Sequence, residues 1–409
     1  MENINVRSTE VENVCPATVL QRIPVIINKI LETLPMKSLH ACARVCRTWN
    51  EIVKKIKQTR TSLHWLCVQG EDEENQKDHN IVEDLTMSFQ KLTSEPAHVF
   101  VFCTSSLFEE SLYVPSKSQS RRPRLCKSQS YDVESFITSL LPSSCKCYSV
   151  AADGIIGSSV NKTVEIEHSV MAMTYLAIPR LPGVEIYDFF IDLNKHIPPM
   201  TPEIPDLFNV EEVTTVPYDQ EVKAILFFSD LHFCPQEIQL GLLDYYNGCP
   251  VVGGYVDHIV TPLSECGLDE SSDSQVRCIA LCGPNVQVAS VVVKEDTDSE
   301  KEIEKELLKL KACNLPTEKS FAFMFACLGR GKSYHHGKEN VESSIFRKIF
   351  PQTPLFGFFG NGEIGMNYLH PYDSMENGFK SKKTKTSRHH PKLSHAYTSI
   401  FLLVSITSC

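Results

Sequence analysis

The run Phe321-Ala322-Phe323-Met324-Phe325-Ala326-Cys327 is apolar and has the length of one β-strand. It is followed by Val341 to Phe350, where apolar residues have helical spacing, and then by a second apolar run, Pro354-Leu355-Phe356-Gly357-Phe358-Phe359-Gly360. A strand, a helix and a second strand in this order are typical of a parallel crossover unit. This stretch therefore predicts a layered α/β structure.

The same order of elements occurs twice earlier in the chain, which indicates an internal repeat. One copy combines the apolar run 97–103, the helical segment 133–141 and the run 147–154. The other copy combines 224–229, 238–246 and 250–254. Alternating segments between the copies, such as Val286 to Val293, are typical of antiparallel strands. The sheets of the body are therefore predicted to be mixed.

Residues 23–56 have a different pattern from the body. Apolar residues recur at helical spacing on both sides of a break at Leu34-Pro35, and the second segment runs through Val45-Cys46-Arg47-Thr48-Trp49. The pattern predicts two short amphipathic helices. A stretch of about 35 residues cannot bury two such faces within itself. These helices therefore need either the rest of the chain or another protein.

The charge is unevenly distributed along the 409 residues. The net charge is −10, but Leu20 to His64 contains nine Lys and Arg against two Glu, which leaves −17 for the remainder. A basic helical pair on an acidic body favours an acidic partner surface or nucleic acid, although a solvated face without a partner gives the same pattern. The apolar stripe with Trp49 argues against a helix-turn-helix DNA reader.

Other features of the sequence narrow the class of protein. The N-terminus lacks a secretory signal pattern, and apolar runs such as 401–404 are too short to span a bilayer. The sixteen cysteines have no repeated spacing, so reduced thiols in the cytoplasm or nucleus are expected. No metal and no cofactor are predicted. The acid-free basic segments 111–131 and 379–393 are expected to be disordered, as nuclear-import signals or as plain loops.

Two glycine motifs are similar to nucleotide-binding motifs, but each lacks a feature that nucleotide binding requires. Gly329-Arg330-Gly331-Lys332-Ser333 lacks the upstream glycine of a phosphate loop, because Ala326 stands there. Gly360-Asn361-Gly362-Glu363-Ile364-Gly365 matches G-x-G-x-x-G, but no helix pattern follows it. The second motif is either a tight glycine turn or the wall of a pocket faced by Glu363. Cys327 is either a small core residue or a thiol of lowered pKa.

The residues quoted above resemble two known families. Residues 323–331 and 354–365 resemble the C-terminal FIST domain, and Pro250-Val251-Val252-Gly253-Gly254 resembles the glycine turn of its N-terminal half. Residues 23–56 resemble an F-box, which docks onto the Skp adaptor of cullin–RING ubiquitin ligases. The resemblance covers about residues 18–406. It implies a non-catalytic subunit that presents target proteins for ubiquitination and proteasomal degradation, with no direct nucleic-acid or membrane partner.

The resemblance also implies where the sites lie. The residues expected to bind the Skp adaptor are Pro24, Leu34, Pro35, Leu39, Val45, Cys46 and Trp49. A departure is Ile23-Pro24, where F-boxes commonly have Leu-Pro. The residues expected near a substrate or small-ligand pocket are Cys327, Arg330, Gly360, Asn361, Gly362 and Glu363. The alternative is a small-ligand sensor in which the helical pair serves dimerisation.

The expected architecture is α/β (α+β layered, mixed sheets), a FIST-type body with an N-terminal all-α F-box module. The expected ranges are a disordered N-terminus at 1–17, the F-box at 18–64, a linker at 65–95, an N-terminal FIST-like domain at 96–265 and a C-terminal FIST-like domain at 266–409.

Overall fold

The structure, a computed structural model, describes most of the chain. The described ranges are 24–70, 77–114, 129–167, 170–196, 208–231, 234–260, 275–369 and 391–407. The chain divides into two compact units, Met1–Thr61 with Gln90–Glu95, and Ser62–Phe89 with Pro96–Cys409. We call them the helical unit and the body. The expected disorder at 1–17, and most of segments 111–131 and 379–393, lie outside the described residues.

The elements are numbered in chain order. The helices are α1 Pro24–Leu31, α2 Met36–Ala43, α3 Arg47–Thr59, α4 Lys77–Gln90, α5 Ser105–Phe108, α6 Val133–Leu140, α7 Leu193–His196, α8 Gln236–Tyr245, α9 Glu300–Ala312 and α10 Val341–Ile349. The strands are β1 His64–Gln69, β2 Pro96–Thr104, β3 Leu112–Val114, β4 Gln129–Tyr131, β5 Lys146–Ala152, β6 Gly154–Ser158, β7 Thr163–Ile166, β8 Ala172–Pro179, β9 Glu185–Asp192, β10 Val222–Ser229, β11 Val251–Tyr255, β12 His258–Val260, β13 Gln275–Cys282, β14 Val286–Val293, β15 Ser320–Cys327, β16 Leu355–Gly360, β17 Glu363–Ile364, β18 Ser394–His395 and β19 Ser399–Ile406.

The body contains three larger sheets and the small β3–β4 hairpin. Their strand orders are β1-β8-β2-β5-β12, β18-β17-β11-β10-β13-β9, and β14-β19-β15-β16-β6-β7. Each sheet has one parallel pair among its described strands, namely β2/β5, β10/β11 and β15/β16, and the other described pairings are antiparallel. The predicted helices α6, α8 and α10 lie within these three crossovers. The α/β class, the mixed sheets and the threefold repeat are therefore confirmed.

The three sheets share one aromatic core. The ring of Phe102 in β2 lies 6.3 Å from Phe228 in β10 and 6.0 Å from Phe323 in β15, measured between centroids. The alternate residues of these strands face the helices instead. Phe227 packs in a cluster with residues of α8, and Met324 packs in a cluster with residues of α9 and α10. The strands are buried on both faces, which explains why they read as unbroken apolar runs.

Two glycines occupy equivalent positions in the second and third repeats. Gly253 pairs with Phe227 and Gly357 pairs with Met324, and their φ angles are 153° and 149°. A Cβ atom would lie 1.9 Å from the Phe227 carbonyl oxygen at the first position and 1.8 Å from the Met324 carbonyl oxygen at the second. Only glycine fits this close backbone approach.

The helical unit contains three helices where the sequence pattern predicted two. The second predicted helix is divided at Cys46, whose φ of −160° and ψ of 171° are extended. Leu39 and Val53 nevertheless belong to the same small core, with Ile27 and Leu31 of α1. In a continuous helix Leu39 and Val53 would lie about 21 Å apart. The break therefore follows from packing and leaves no glycine or proline signal.

The range 65–95, expected to be a linker, contains β1 and α4. Strand β1 pairs antiparallel with β8, and its Trp65 and Cys67 pack against the shared core. Helix α4 buries a row of apolar side chains at helical spacing, Ile81, Val82, Leu85 and Phe89. The polar run 71–78 obscured this spacing. No helix within the described ranges is long and apolar enough to cross a bilayer.

Replacing Gly357 by Ala should destabilise the body by about 2 kcal/mol or more, because the new methyl group meets the Met324 carbonyl oxygen. The control is Gly337→Ala, at a φ of 85° with open space around the position, where only backbone strain of about 1 kcal/mol applies. Urea unfolding of the two variants measures the difference. Equal losses of unfolding free energy in the two variants would mean that the close approach to the Met324 carbonyl adds no cost.

Candidate functional site

Helix α1 has apolar side chains on two faces. Ile27 and Leu31 are fully buried in the core of the helical unit, whereas Val25, Ile26 and Ile30 are 66%, 43% and 47% exposed. Three exposed aliphatic side chains grouped on one short helix differ from the scattered single apolar residues of an ordinary surface. The exposed face of α1 is thus a candidate docking surface for another protein.

The predicted adaptor-binding residues do not all reach the surface. Pro24, Val45 and Cys46 are exposed, and Leu34, Pro35 and Trp49 are partly buried. Leu39 is fully buried in the core of the unit, so its assignment as a docking residue is corrected to a core role. Val25 was missed, and Ile26 and Ile30 were only part of the apolar stripe. Helical periodicity shows that a stripe exists but not which of its residues are covered.

Arg60 connects the end of α1 to distant parts of the helical unit. Its Nη1 donates to the carbonyl oxygens of Leu34 and Thr93, both at 2.8 Å, and its Nη2 donates to that of Glu32 at 2.8 Å. The last carbonyls of a helix have no partner within the helix. One guanidinium therefore satisfies the end of α1 and holds the turn that leads to α2.

A segment from outside the F-box-like stretch completes the helical unit. The backbone N–H of Met36 donates to the carbonyl of Leu92 at 2.8 Å, and the ammonium of Lys57 lies 2.7 Å from the Glu95 carboxylate. His40 lies 3.2 Å from the same carboxylate. The contribution of Gln90–Glu95 was missed because nothing in the local sequence links it to residues more than thirty positions away.

In the body, the loop Gly360-Asn361-Gly362 carries the chain from β16 in one sheet to β17 in another. Asn361 N–H donates to the Tyr255 carbonyl at 3.3 Å, and Tyr255 N–H donates to that of Gly362 at 3.1 Å. A Cβ on Gly360 would lie 2.2 Å from the Tyr255 carbonyl oxygen. The glycines therefore permit close backbone packing between sheets, as the tight-turn interpretation predicted. The exposed Asn361 is the one side chain of this loop that a partner could meet.

Arg330 is fully buried and has protein partners on all three nitrogens. Nε donates to Glu342 at 2.8 Å, Nη2 donates to the Thr297 carbonyl at 3.0 Å, and Nη1 donates to the Lys294 and Tyr397 carbonyls, both at 3.1 Å. Its expected place in a ligand pocket is therefore corrected to a structural role. The guanidinium is saturated by the loops that it joins.

The segment Gly329 to Ser333 likewise makes its contacts with other residues of the body. The backbone N–H of Lys332 donates to the Glu167 carboxylate, and the Lys332 ammonium lies 2.6 Å from Glu339. The position that a phosphate would need is therefore taken by the body's own carboxylate. Among the described residues, no group of three or more His, Cys, Asp and Glu is arranged to hold a metal ion.

Glu363 and Cys327 are brought together, with Thr398 beside them. The Glu363 carboxylate is buried and accepts from the Thr398 N–H at 3.0 Å and the Thr398 hydroxyl at 2.6 Å. Burial, partly offset by these donors, raises the pKa of Glu363 to about 7. Burial, and then the neighbouring Glu363, raises the pKa of Cys327. The hypothesis of a thiol of lowered pKa is therefore wrong.

A cavity of about 500 Å³ lies next to this pair. Thr398 and His395 line it, together with Met366, Asn367, Lys294 and Asp296. Of the residues predicted for a pocket, none lines this cavity directly. Glu363 is connected to the cavity only by its hydrogen bonds to Thr398.

Replacing Arg60 by Ala should destabilise the helical unit by about 2–3 kcal/mol, because several carbonyls lose a charged donor at once. Amide hydrogen exchange within residues 24–60 measures the effect. Arg60→Lys should restore only part of it, since one ammonium cannot reach all of these carbonyls on two separate segments. The exposed Lys55→Ala is the matched control. Unchanged exchange in Arg60→Ala would contradict the role of this side chain.

The pKa of Glu363 predicts a pH effect on stability. The folded value of about 7 lies above the ordinary 4.5, so the folded chain holds a proton that the unfolded chain releases. Its stabilising contribution is complete below pH 4.5 and is lost as the pH rises to about 7. Glu363→Gln keeps an acceptor for Thr398. It should flatten the pH dependence of the melting temperature over this window and raise that temperature by a few degrees at about pH 8.

The control for this measurement is the exposed Glu318→Gln, which should follow the pH curve of the unchanged chain. A Glu363→Gln chain whose curve also stays parallel would show that folding does not raise the pKa of Glu363.

Comparison with known families identifies two domains. The F-box domain model matches residues 20–61, which comprise α1 to α3, and the FIST C domain model matches residues 271–366. A third similarity is local: an F-box/LRR-repeat protein of Arabidopsis thaliana is 38% identical over 88 residues, 22% of this chain and 14% of that protein.

Two relatives are similar over nearly the full length. F-box only protein 22 of Homo sapiens is 29% identical and that of Pongo abelii 28% identical, each over 404 residues, 95% of this chain and 94% of the relative. A solved structure of cyanuric acid hydrolase from A. caulinodans covers 85% of this chain and 100% of its own with a TM-score of 0.33 and 5% identity, too low to bear on function. The chain thus contains one segment that matches the F-box domain and one that matches the FIST C domain, and it is similar over almost its whole length to F-box only protein 22.

Proposed function

We propose that this protein is the substrate-recognition subunit of a Skp–cullin–F-box ubiquitin ligase. The helical unit docks onto the Skp adaptor, and the body presents target proteins for ubiquitination and proteasomal degradation. The observation that carries the proposal is the outward apolar face of α1, formed by Val25, Ile26 and Ile30, in the segment matched by the F-box model. The protein itself has an adaptor role and performs no chemistry.

The energetics of that face suit a protein partner. Covering one large aliphatic side chain contributes roughly 1.5–3 kcal/mol. Three neighbouring side chains on one short helix supply the apolar centre that stable interfaces need. The opposite face of α1 is occupied by the unit's own core, so α1 has a fixed orientation before the partner arrives.

The charge of the helical unit favours an acidic adaptor surface. Lys29, Lys37, Arg44 and Arg47 are all exposed. Such groups around an apolar centre mainly raise the association rate and exclude wrong partners. The described cysteines are free thiols, in keeping with our placement of the protein in the reducing cytoplasm and nucleus.

A small-ligand sensor remains the second candidate because of the cavity of about 500 Å³ beside Thr398. Two features expected in its pocket do not support this candidate. The hydrogen bonds of Arg330 are already made to protein groups, and the glycine loop is packed against the backbone of the neighbouring sheet. A metabolite panel that raises the melting temperature of the full chain, and not that of a Thr398→Val chain, would favour this candidate.

Replacing Ile26 and Ile30 together by Asp should reduce capture of the Skp adaptor at least about tenfold, because two charges enter the apolar centre of the interface. Neither residue belongs to the core of the helical unit. The matched control is Leu308→Asp, a similarly exposed leucine of α9 in the body. Adaptor capture from full-length variants, with circular dichroism to confirm folding, is the measurement. Folded chains that retain the adaptor equally well would refute the docking proposal.

A further inference from the structure

One turn of the body presents a whole aromatic ring to solvent. Tyr218 is 99% exposed, at the tip of a turn closed by the Gln220 N–H donating to the Pro217 carbonyl at 3.0 Å. The turn is anchored on both sides. The Thr215 hydroxyl donates to the Asp188 carbonyl at 2.8 Å, and the Glu221 carbonyl accepts from the Gly283 N–H at 3.1 Å. The backbone that carries Tyr218 is therefore anchored, while its ring remains uncovered.

A second tyrosine stands beside this turn at the end of α8. Tyr245 is 36% exposed, and its ring meets that of Tyr246 edge-on at 4.9 Å. The end of α8 lies against the loop that carries Tyr218, because Gln220 and Tyr246 line one depression. Burial, and then the nearby Glu211 and Tyr218, raises the pKa of Tyr245. The Tyr246 hydroxyl is hydrogen-bonded to Thr214, which fixes the Tyr246 ring against the loop that leads to Tyr218.

The surface continues into a cavity of about 340 Å³. Its lining includes Tyr246, Glu221 and Tyr368 together with Val286 and Val288 of strand β14. Lys223, which is paired with Glu221, lines it as well, so this depression offers hydrophobic contact beside the exposed tyrosine. A side chain with an apolar stem and a polar end suits such a depression.

Nearly all charged side chains in this part of the body are acidic. The described ranges 208–222 and 234–260 contain no Lys and no Arg. The carboxylates of Glu211, Asp219 and Glu221 are exposed in the first range. Lys223, at the edge, lies 2.6 Å from Glu221 and is thereby paired.

We propose that this tyrosine–carboxylate surface, formed by Tyr218, Tyr245, Tyr246, Glu211, Asp219 and Glu221, binds a lysine- or arginine-rich segment of the recruited protein. The inference rests on the proposed function, since it names the class of segment that the body would recognise.

Both the tyrosine rings and the carboxylates of this surface favour a cationic group. A guanidinium or ammonium group is attracted to the face of a tyrosine ring, and carboxylates around the ring add charge-assisted hydrogen bonds. Arginine also stacks flat on an aromatic ring, which makes it the better fit to an exposed tyrosine. A nucleic acid would be repelled by the same carboxylates, and an apolar helix would bury them unpaired.

The test uses two peptides and the full chain. One fluorescent peptide alternates six arginines with six serines, and its match has glutamine at each arginine. Fluorescence anisotropy should show the arginine peptide binding at least about tenfold more tightly, with affinity falling as salt is raised. The double variant Tyr218→Ala with Tyr245→Ala should lose about tenfold. The control Leu308→Ala, also an exposed side chain, should lose nothing.

Two results would overturn the inference. One is equal binding of the glutamine peptide or unchanged binding by the tyrosine variant. The other is a concentration-dependent dimer that Tyr218→Ala dissociates, which would mean that a second copy covers the surface. Failure of the proposed function is seen separately. The Ile26→Asp and Ile30→Asp chain should still bind the arginine peptide, and the tyrosine variant should still capture the adaptor.

Discussion

The body depends on a single constraint, which is that three parallel strand pairs from three sheets must bury their inner faces against one another. Phe102, Phe228, Phe323 and Phe325 are the side chains through which this happens, and Phe228 and Phe325 lie 5.7 Å apart between centroids. Edge-on arrangements dominate, as the electrostatics of aromatic rings favour. Because the same strands also support helices on their outer faces, neither face can accept a polar residue without loss of packing.

This constraint explains the unusual backbone at Gly253 and Gly357. Each lies opposite the middle of the neighbouring parallel strand, where the backbone approaches the partner carbonyl too closely for a side chain. The loop at Gly360 serves the same purpose between sheets. Glycine patterns that resemble nucleotide-binding motifs are thus a by-product of close sheet packing.

The helical unit works by dividing the apolar surface of one short helix. The inner residues of α1 form a small core with α2 and α3, and the outer residues remain available to a partner. A core of this size is marginal by itself. The contacts of Arg60 and of the segment Gln90–Glu95 are therefore important for the stability of the unit, because they fix the end of α1 and the start of α2. A docking surface of few residues needs such rigidity to bind without a large entropic loss.

The sequence by itself determined the three strand–helix–strand repeats, the mixed sheets and the F-box and FIST resemblance, because apolar period and glycine spacing are local properties. It did not separate Leu39, which is core, from Ile26, which is exposed. The two share one periodic pattern, and only three-dimensional packing shows which face is covered. Arg330 was assigned to a pocket because charge next to glycine suggests a ligand, yet the tertiary structure surrounds it with three carbonyls from two loops. The contribution of Gln90–Glu95 and the neighbourhood of Tyr218, Tyr245 and Glu211 arise only when distant segments meet, so the tertiary structure alone decided them.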